Sequence, residues 1–223
     1  MIKISQRLEL IANYVTDNSK IIDIGCDHGY LDIYLLEKRK NLKIIASDVN
    51  ENALANAKAN IKKYKFNDKI DTRLGNGLDV VEKDEIDTII MSGLGTHKIV
   101  GILYNNLKKL NNVNQIIIQS NTNIEFLRKK LIYLKYYIAD EKLVKENNII
   151  YTIINFKKGK RRYSKLDIYF GPLLRIENSD LFKEKNKEDL EKLMILSKLI
   201  PKKNYHHYLI TKRKINMYKK ISA

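Results

Sequence analysis

Ile21-Ile-Asp-Ile-Gly-Cys-Asp-His-Gly-Tyr30, followed by Ser47-Asp48-Val49, is the stretch on which the fold is decided. An apolar run closes on Asp23, a loop holds Gly25 and Gly29, a helix-like segment follows, and a second apolar run closes on Asp48. That succession is the opening of a nucleotide-binding βαβ unit, whose ligand sits at the carboxyl ends of the strands.

The glycines choose among adenosine ligands. A dinucleotide loop needs G-x-G-x-x-G spacing, so that backbone can approach a pyrophosphate and the next helix can aim its amides at the anion. Here Gly25 and Gly29 are separated by Cys26, Asp27 and His28, which crowd and partly repel a diphosphate. S-adenosylmethionine carries an ammonium, a carboxylate and a sulfonium but no phosphate, and Asp23 or Asp27 complements its cationic groups. Asp48 falls about 20 residues beyond the loop, the spacing at which a carboxylate meets ribose hydroxyls. The competing reading, that Asp48 caps a helix starting near residue 50, is the weaker. Tyr30, Val49 and Asn50 adjoin these groups and complete the donor contacts expected on this side.

Working outward, short apolar runs alternate with amphipathic segments in the manner of an α/β sheet. Strands are expected near 20–24, 43–47, 70–74, 86–91 and 115–119, and helices near 30–38, 51–64, 97–110 and 124–134, with another over 5–15 before the sheet. Right-handed crossovers make these strands parallel. Two β-prone runs at 136–144 and 149–156, joined by the polar turn 145–148, predict an antiparallel hairpin on the sheet edge. The sum is a Rossmann-like seven-stranded sheet of the class I methyltransferase kind.

Arg73-Leu-Gly-Asn-Gly-Leu78 lies between the third and fourth strands. Gly75 and Gly77 let backbone approach an adenine, and Asn76 can hydrogen-bond its edge, although an ordinary glycine turn explains the same residues. The fourth strand ends in Met91-Ser-Gly-Leu-Gly-Thr96, so Ser92, Gly93 and Leu94 fall where the donor meets the acceptor. An Asn/Asp-Pro-Pro-aromatic segment for exocyclic amines is ruled out there, because the chain has only Pro172 and Pro201. Cys26, the sole cysteine, sits in the donor loop without a base, which argues against a catalytic thiol and excludes intrachain disulfides and cysteine zinc clusters. An acceptor that already owns a lone pair, such as a ring nitrogen, fits what remains. Arg7, on the helix before the sheet, offers a cation for the methionine carboxylate, with a plain surface charge as the alternative.

After about residue 160 the pattern becomes helical and basic. Residues 157–223 hold 19 Lys and Arg against 7 Asp and Glu, whereas residues 1–156 hold 23 against 19, so most of the +16 formal charge lies in the tail. Leu190, Leu193, Met194, Ser197 and Ile200 recur at helical spacing up to Pro201, and a second helix near 204–219 carries Tyr205, Tyr208, Ile215 and Tyr218. A coiled-coil-like helical hairpin is expected over 161–223, its apolar stripe packed, its Lys202, Lys203, Lys212, Arg213 and Lys214 facing an RNA backbone, with a solvated charged face as the alternative. Residues 1–160 form the expected donor-binding catalytic domain. No run is long and apolar enough to span a bilayer, no secretion signal precedes the first helix, and the four histidines make no metal pattern. The expectation is a soluble, cytoplasmic, metal-free and monomeric protein.

Together these segments resemble the bacterial tRNA (adenine-22-N1)-methyltransferase family. The likeness runs from Ser5-Gln-Arg-Leu8 through Asp23-Ile-Gly-Cys-Asp-His-Gly-Tyr-Leu31, Arg73-Leu-Gly-Asn-Gly-Leu78, Ser92-Gly-Leu-Gly95 and Gln119-Ser-Asn121 to Tyr151 and Phe170-Gly-Pro-Leu173. Cys26 and Gly29 stand where serine and alanine are expected, Asp48 replaces glutamate, and Ser120 replaces proline. The resemblance implies methyl transfer from S-adenosylmethionine to N1 of adenine 22 in tRNA, with the base exposed from its stack. It places Asp27, His28, Ser92 and Asn121 around the acceptor. A methyltransferase for another RNA, a tRNA-binding protein with an inactive methyltransferase domain, and a nicotinamide oxidoreductase stand as the alternatives.

Overall fold

A computed structural model describes residues 2–222, apart from the side chains of Lys202 and Ser222. Lys202, expected at an RNA backbone, therefore lies outside the described side chains. The chain divides into two compact units, residues 1–162 and residues 163–223.

The first unit is built on α1 (Gln6–Tyr14), β1 (Lys20–Ile24), α2 (Tyr30–Lys38), β2 (Lys43–Asp48), α3 (Glu51–Lys63), β3 (Ile70–Leu74), β4 (Thr88–Ser92), α4 (Thr96–Asn105), β5 (Gln115–Ser120), α5 (Ile124–Tyr133), β6 (Tyr136–Glu146) and β7 (Ile149–Lys158). These strands form one seven-stranded sheet in the order β3-β2-β1-β4-β5-β7-β6. β1 to β5 run parallel and β7 and β6 add antiparallel. The strand order reverses between β1 and β4, which opens a crevice at their carboxyl ends. Helices cover both faces, so the parallel strands read as continuous apolar runs such as Ile21-Ile22 and Ile116-Ile117-Ile118, all buried.

Several boundaries differ from expectation for identifiable reasons. The helix expected over 97–110 stops at Asn105, and a 3-10 turn takes over at Leu107–Asn112. Asn106 ends it by turning its amide onto the carbonyl of Ile102 and the carboxylate of Asp79. The expected polar turn 145–148 contracts to Asn147 and Asn148, both left-handed (φ 49 and 62), so the hairpin strands extend to Glu146 and from Ile149. Two residues with positive φ make the tight connection that suits strand twist, and Asn tolerates it. β4 begins at Thr88 rather than residue 86. Inside the sheet edge, Arg128 and Glu141 form an ion pair at 2.8 Å with both side chains almost fully buried.

The second unit comprises α6 (Lys165–Phe170), α7 (Pro172–Glu177), α8 (Asp180–Leu199) and α9 (Tyr205–Ser222). α8 and α9 pack as a hairpin across Pro201. α6 and α7 were not anticipated. Each is a turn and a half, too short for periodicity, although Ser164 and Asp167 form a capping box and Pro172 starts α7. Phe170, Leu174, Phe182 and Ile215 are buried, and Phe170 meets Tyr218 edge-on at 4.8 Å. The expected packed stripe is narrower than its residues: Met194 and Tyr205 are exposed, because α9 alone covers α8 on this side and vice versa.

Candidate functional site

The carboxyl ends of β1, β2 and β4 open onto a cleft of about 420 Å³, large enough for a nucleoside-sized ligand. Asp23 ends the first wall. It is 4% exposed, lines the cleft, and receives no side-chain hydrogen bond from any described residue. Burial, and secondarily the nearby Asp48 charge, pushes its carboxyl up to about 7. A cation beside it would favour the ionised form.

The loop from Gly25 to Gly29 is shaped by backbone bonds. Gly25 and Cys26 both donate to the carbonyl of Ser47, at 2.8 and 3.0 Å, tying the loop to the end of β2. Asp27 takes a left-handed conformation, and its amide meets Asp48 Oδ2 at 3.3 Å. Asp48 Oδ1 accepts from the amide of Asn50 at 2.9 Å. Each carboxylate oxygen keeps a lone pair free for a ligand hydroxyl. Asn50, not Asp48, caps α3, its side chain accepting from Asn52 and Ala53. His28 and Tyr30 stack at 5.7 Å beside the loop. The Cys26 thiol is raised far from reactivity by burial and then by Asp32, Asp23 and Asp48, which leaves it no nucleophilic role.

On the far side, Gly77 has φ +61, and a Cβ there would stand 2.8 Å from Ile102 Cγ2. Only glycine lets the Gly75-Asn76-Gly77 turn settle this close to α4.

At the end of β4 and β5 the groups interlock. Gln119 Oε1 accepts from Arg7 Nη1 (2.9 Å), Ser92 Oγ (3.1 Å) and the amide of Gly93 (2.9 Å). Arg7 is not a loose surface cation: its amide donates to Glu146 at 2.6 Å, its Nε lies 3.5 Å from the same carboxylate, and its guanidinium covers the Tyr151 ring. Thr96 Oγ1 bonds Ser120 Oγ at 3.1 Å and the carbonyl of Thr122, stapling the β4 and β5 loops together.

The cleft thus gathers Arg7, Asp23, Gly25, Cys26, Asp27, His28, Tyr30, Asp48, Val49, Gly75, Asn76, Gly77, Ser92, Gly93 and Leu94. It leaves three expected residues outside its lining. Gly29 faces Ala57, where a Cβ would come within 3.3 Å; Asn50 is spent on its cap; and Asn121 is exposed, accepting from Gln119 Nε2 at 3.3 Å. Leu8, Ile24, Leu31, Lys98 and Ile102 line the cleft unexpectedly. Ile24 closes β1, and the other four are helical residues whose inward faces appear only once the helices dock. Gln119, the hub behind Arg7 and Ser92, has no role in the sequence reading beyond the family likeness; a polar amide closing the apolar run Ile116-Ile117-Ile118 is the signal that marks it.

A sequence profile of the tRNA (adenine(22)-N(1))-methyltransferase family matches residues 21–220. The chain belongs to that family. A tRNA (adenine(22)-N(1))-methyltransferase of Bacillus subtilis (strain 168) is 30% identical over 196 residues, covering 85% of this chain and 82% of the relative. Among solved structures, M. capricolum TrmK in complex with the cofactor product S-adenosyl-homocysteine superposes with a TM-score of 0.87 at 30% identity, over 97% of this chain and 96% of that one. A Streptococcus pneumoniae protein in complex with S-adenosyl-L-methionine reaches a TM-score of 0.90 at 31% identity, over 99% and 100%. Membership in the tRNA (adenine(22)-N(1))-methyltransferase family sets aside the oxidoreductase alternative and agrees with a loop that has no pyrophosphate cradle.

Proposed function

We infer that the cleft at the carboxyl ends of β1, β2 and β4 binds S-adenosyl-L-methionine and that the chain methylates N1 of adenine 22 in tRNA. The single observation carrying the donor assignment is Asp23, a buried acid facing the cleft with no hydrogen-bond donor of its own. An ammonium supplies what it lacks. Asp48 takes the ribose hydroxyls, Asn76 the adenine edge, and Leu94 and Ile102 the apolar flank. Arg7 meets the methionine carboxylate from a position held by Glu146, Ser92 and Gln119.

The donor supplies a sulfonium-bound methyl, and N1 of a neutral adenine takes it with a lone pair it already has. No residue therefore needs to remove a proton first. The chain's own work is alignment and exclusion of water. Ser92, fixed by Arg7 and Gln119, borders the point where donor and acceptor meet. Asp27, exposed at the rim with His28 Nε2 3.7 Å from its Oδ1, places a negative charge near a base that becomes cationic on methylation. Asn121 stands beside Gln119 as the outer limit of the acceptor side.

Residues 1–162 act as the catalytic unit and residues 163–223 as a basic tRNA-holding unit, supported by the 14 Lys and Arg against 7 Asp and Glu that the second unit holds. The protein works in the cytoplasm, where its substrate is. Calorimetric titration tests the donor assignment. Asp23→Asn should weaken S-adenosyl-L-methionine binding at least tenfold, and wild-type affinity in that variant would remove Asp23 from the site.

A further inference from the structure

Between residues 88 and 139 the chain has a single acidic residue, Glu125, against seven basic ones, although residues 1–156 as a whole hold 23 basic against 19 acidic residues. Glu125 is occupied by Lys129, 2.5 Å away, and Arg128 is turned inward to Glu141. Of the remaining cations, Lys109 is turned to the carbonyls of Leu78 and Asp79, while Lys98 and Lys130 form a ladder with aromatic rings across α4 and α5. It begins in the cleft, where Lys98 on the first turn of α4 joins the lining. Its neighbour His97 meets the Phe126 ring at 5.0 Å, on the first turn of α5. Lys130 Nζ lies 5.3 Å from the Phe126 centroid and 5.1 Å from that of Tyr104. Tyr133, 77% exposed, is close enough to influence the Tyr104 hydroxyl. Neither Lys98 nor Lys130 has a carboxylate within ion-pairing distance among the described residues.

Aromatic faces alternating with cations, none of them neutralised, match an unpaired nucleic-acid strand better than they match a protein. Bases stack on the rings whatever their identity, and phosphates need the ammonium groups. Both helices start at the carboxyl ends of β4 and β5, so the ladder leads directly out of the acceptor side. A base turned into the cleft must bring its flanking nucleotides to that edge.

We propose that the His97, Lys98, Phe126, Lys130 ladder on α4 and α5 is the path of the unpaired RNA strand adjoining the target adenine. It rests on the tRNA-methylating reading and adds to it a strand-holding surface within the catalytic unit, independent of the basic tail. Phe126 and His97 stack the flanking bases; Lys98 and Lys130 hold their phosphates.

The test uses the full chain saturated with S-adenosyl-homocysteine and a fluorescent tRNA transcript, titrated by anisotropy at two salt concentrations. Phe126→Ala and Lys130→Ala should each raise the tRNA Kd about 5- to 10-fold, in line with the loss of one stacked base or one phosphate contact. Lys130→Ala should also lower the slope of log Kd on log salt by about 0.7, and Lys130→Arg should restore both. Calorimetric affinity for S-adenosyl-L-methionine should stay at the wild-type value, and Lys62→Ala, an exposed lysine on α3, should change nothing. Should Phe126→Ala fail to bind the donor, it reports misfolding and the half-buried Lys130→Ala decides. A wild-type chain that methylates tRNA, with Lys130→Ala binding tRNA as tightly as wild type, overturns the ladder and leaves this face to a protein partner. A wild-type chain that methylates no tRNA overturns the reading beneath it instead.

Discussion

Arg7 Nη1 donates to Ser92 Oγ at 2.8 Å, which locks the helix preceding the sheet onto the end of its fourth strand. Gln119 receives both groups, and Glu146 holds the guanidinium from the hairpin, so three distant segments converge on one corner of the cleft. Removing the guanidinium therefore costs twice. Arg7→Ala should weaken S-adenosyl-L-methionine binding and lower stability by about 1–3 kcal/mol, the range for hydrogen bonds to charged groups in partly buried surroundings. Calorimetry and urea denaturation measure the two effects separately. Unchanged donor affinity would return Arg7 to a purely structural role.

With Asp23 in the donor site, S-adenosyl-L-methionine binding should depend on pH. The Asp23 carboxyl is raised from 3.8 to about 7 in the folded chain, so between those values the folded state holds more protons than the unfolded one. Stability of the ligand-free protein should consequently fall as pH rises through that window, while affinity for the cationic donor rises as the carboxylate forms. Asp32, buried with neither oxygen bonded and likewise raised by burial and by Asp23, adds to the same slope. Asp23→Asn should flatten part of the stability slope and make the ligand-free chain more stable at pH 8. Denaturation curves at pH 5 and pH 8 read the sign directly; a variant less stable than wild type at pH 8 would contradict it.

Gly77→Ala should disturb the adenine side. The new methyl meets Ile102 Cγ2 at 2.8 Å on a backbone of positive φ, a strain of about 1–3 kcal/mol. The expected outcome is weaker donor binding and a lower Tm, with Arg7 and Ser92 undisturbed. Gly95→Ala is the contrast, since nothing lies within 4 Å of its Cβ position and its φ is −66.

Ending the chain after residue 162 should leave donor binding within about twofold of wild type, because every cleft residue belongs to the first unit. tRNA affinity should drop about 10-fold or more and its salt dependence should weaken, as expected when a share of the phosphate contacts goes. Filter binding at two ionic strengths checks this. Equal affinity in the shortened chain would exonerate the tail.

How much of this was legible in the sequence follows from the range of the forces involved. β1, β3 and α2 begin and end at the expected residues, because Asp23, the Gly25 to Gly29 loop and the Arg73-Leu-Gly turn mark their limits locally. The donor-loop residues and Asp48 fall together for the same reason: consecutive βα turns must share one edge of a parallel sheet. What escaped depends on partners far away in the chain. Gln119 gathers Arg7 from 112 positions off, and Lys98 faces the cleft only once α4 has docked. Asn106 breaks its helix through a side-chain bond to Asp79 that no local pattern announces. Exposure of Met194 and Tyr205 likewise depends on how much of α8 a single partner helix can cover.

Transfer of a tritiated methyl group from S-adenosyl-L-methionine to an unmodified tRNA transcript, followed by mass-spectrometric location of the label, tests the account most directly. One methyl at N1 of adenine 22, lost in Asp23→Asn, is the predicted result. A chain that binds the donor yet labels another position, or labels nothing, would contradict it.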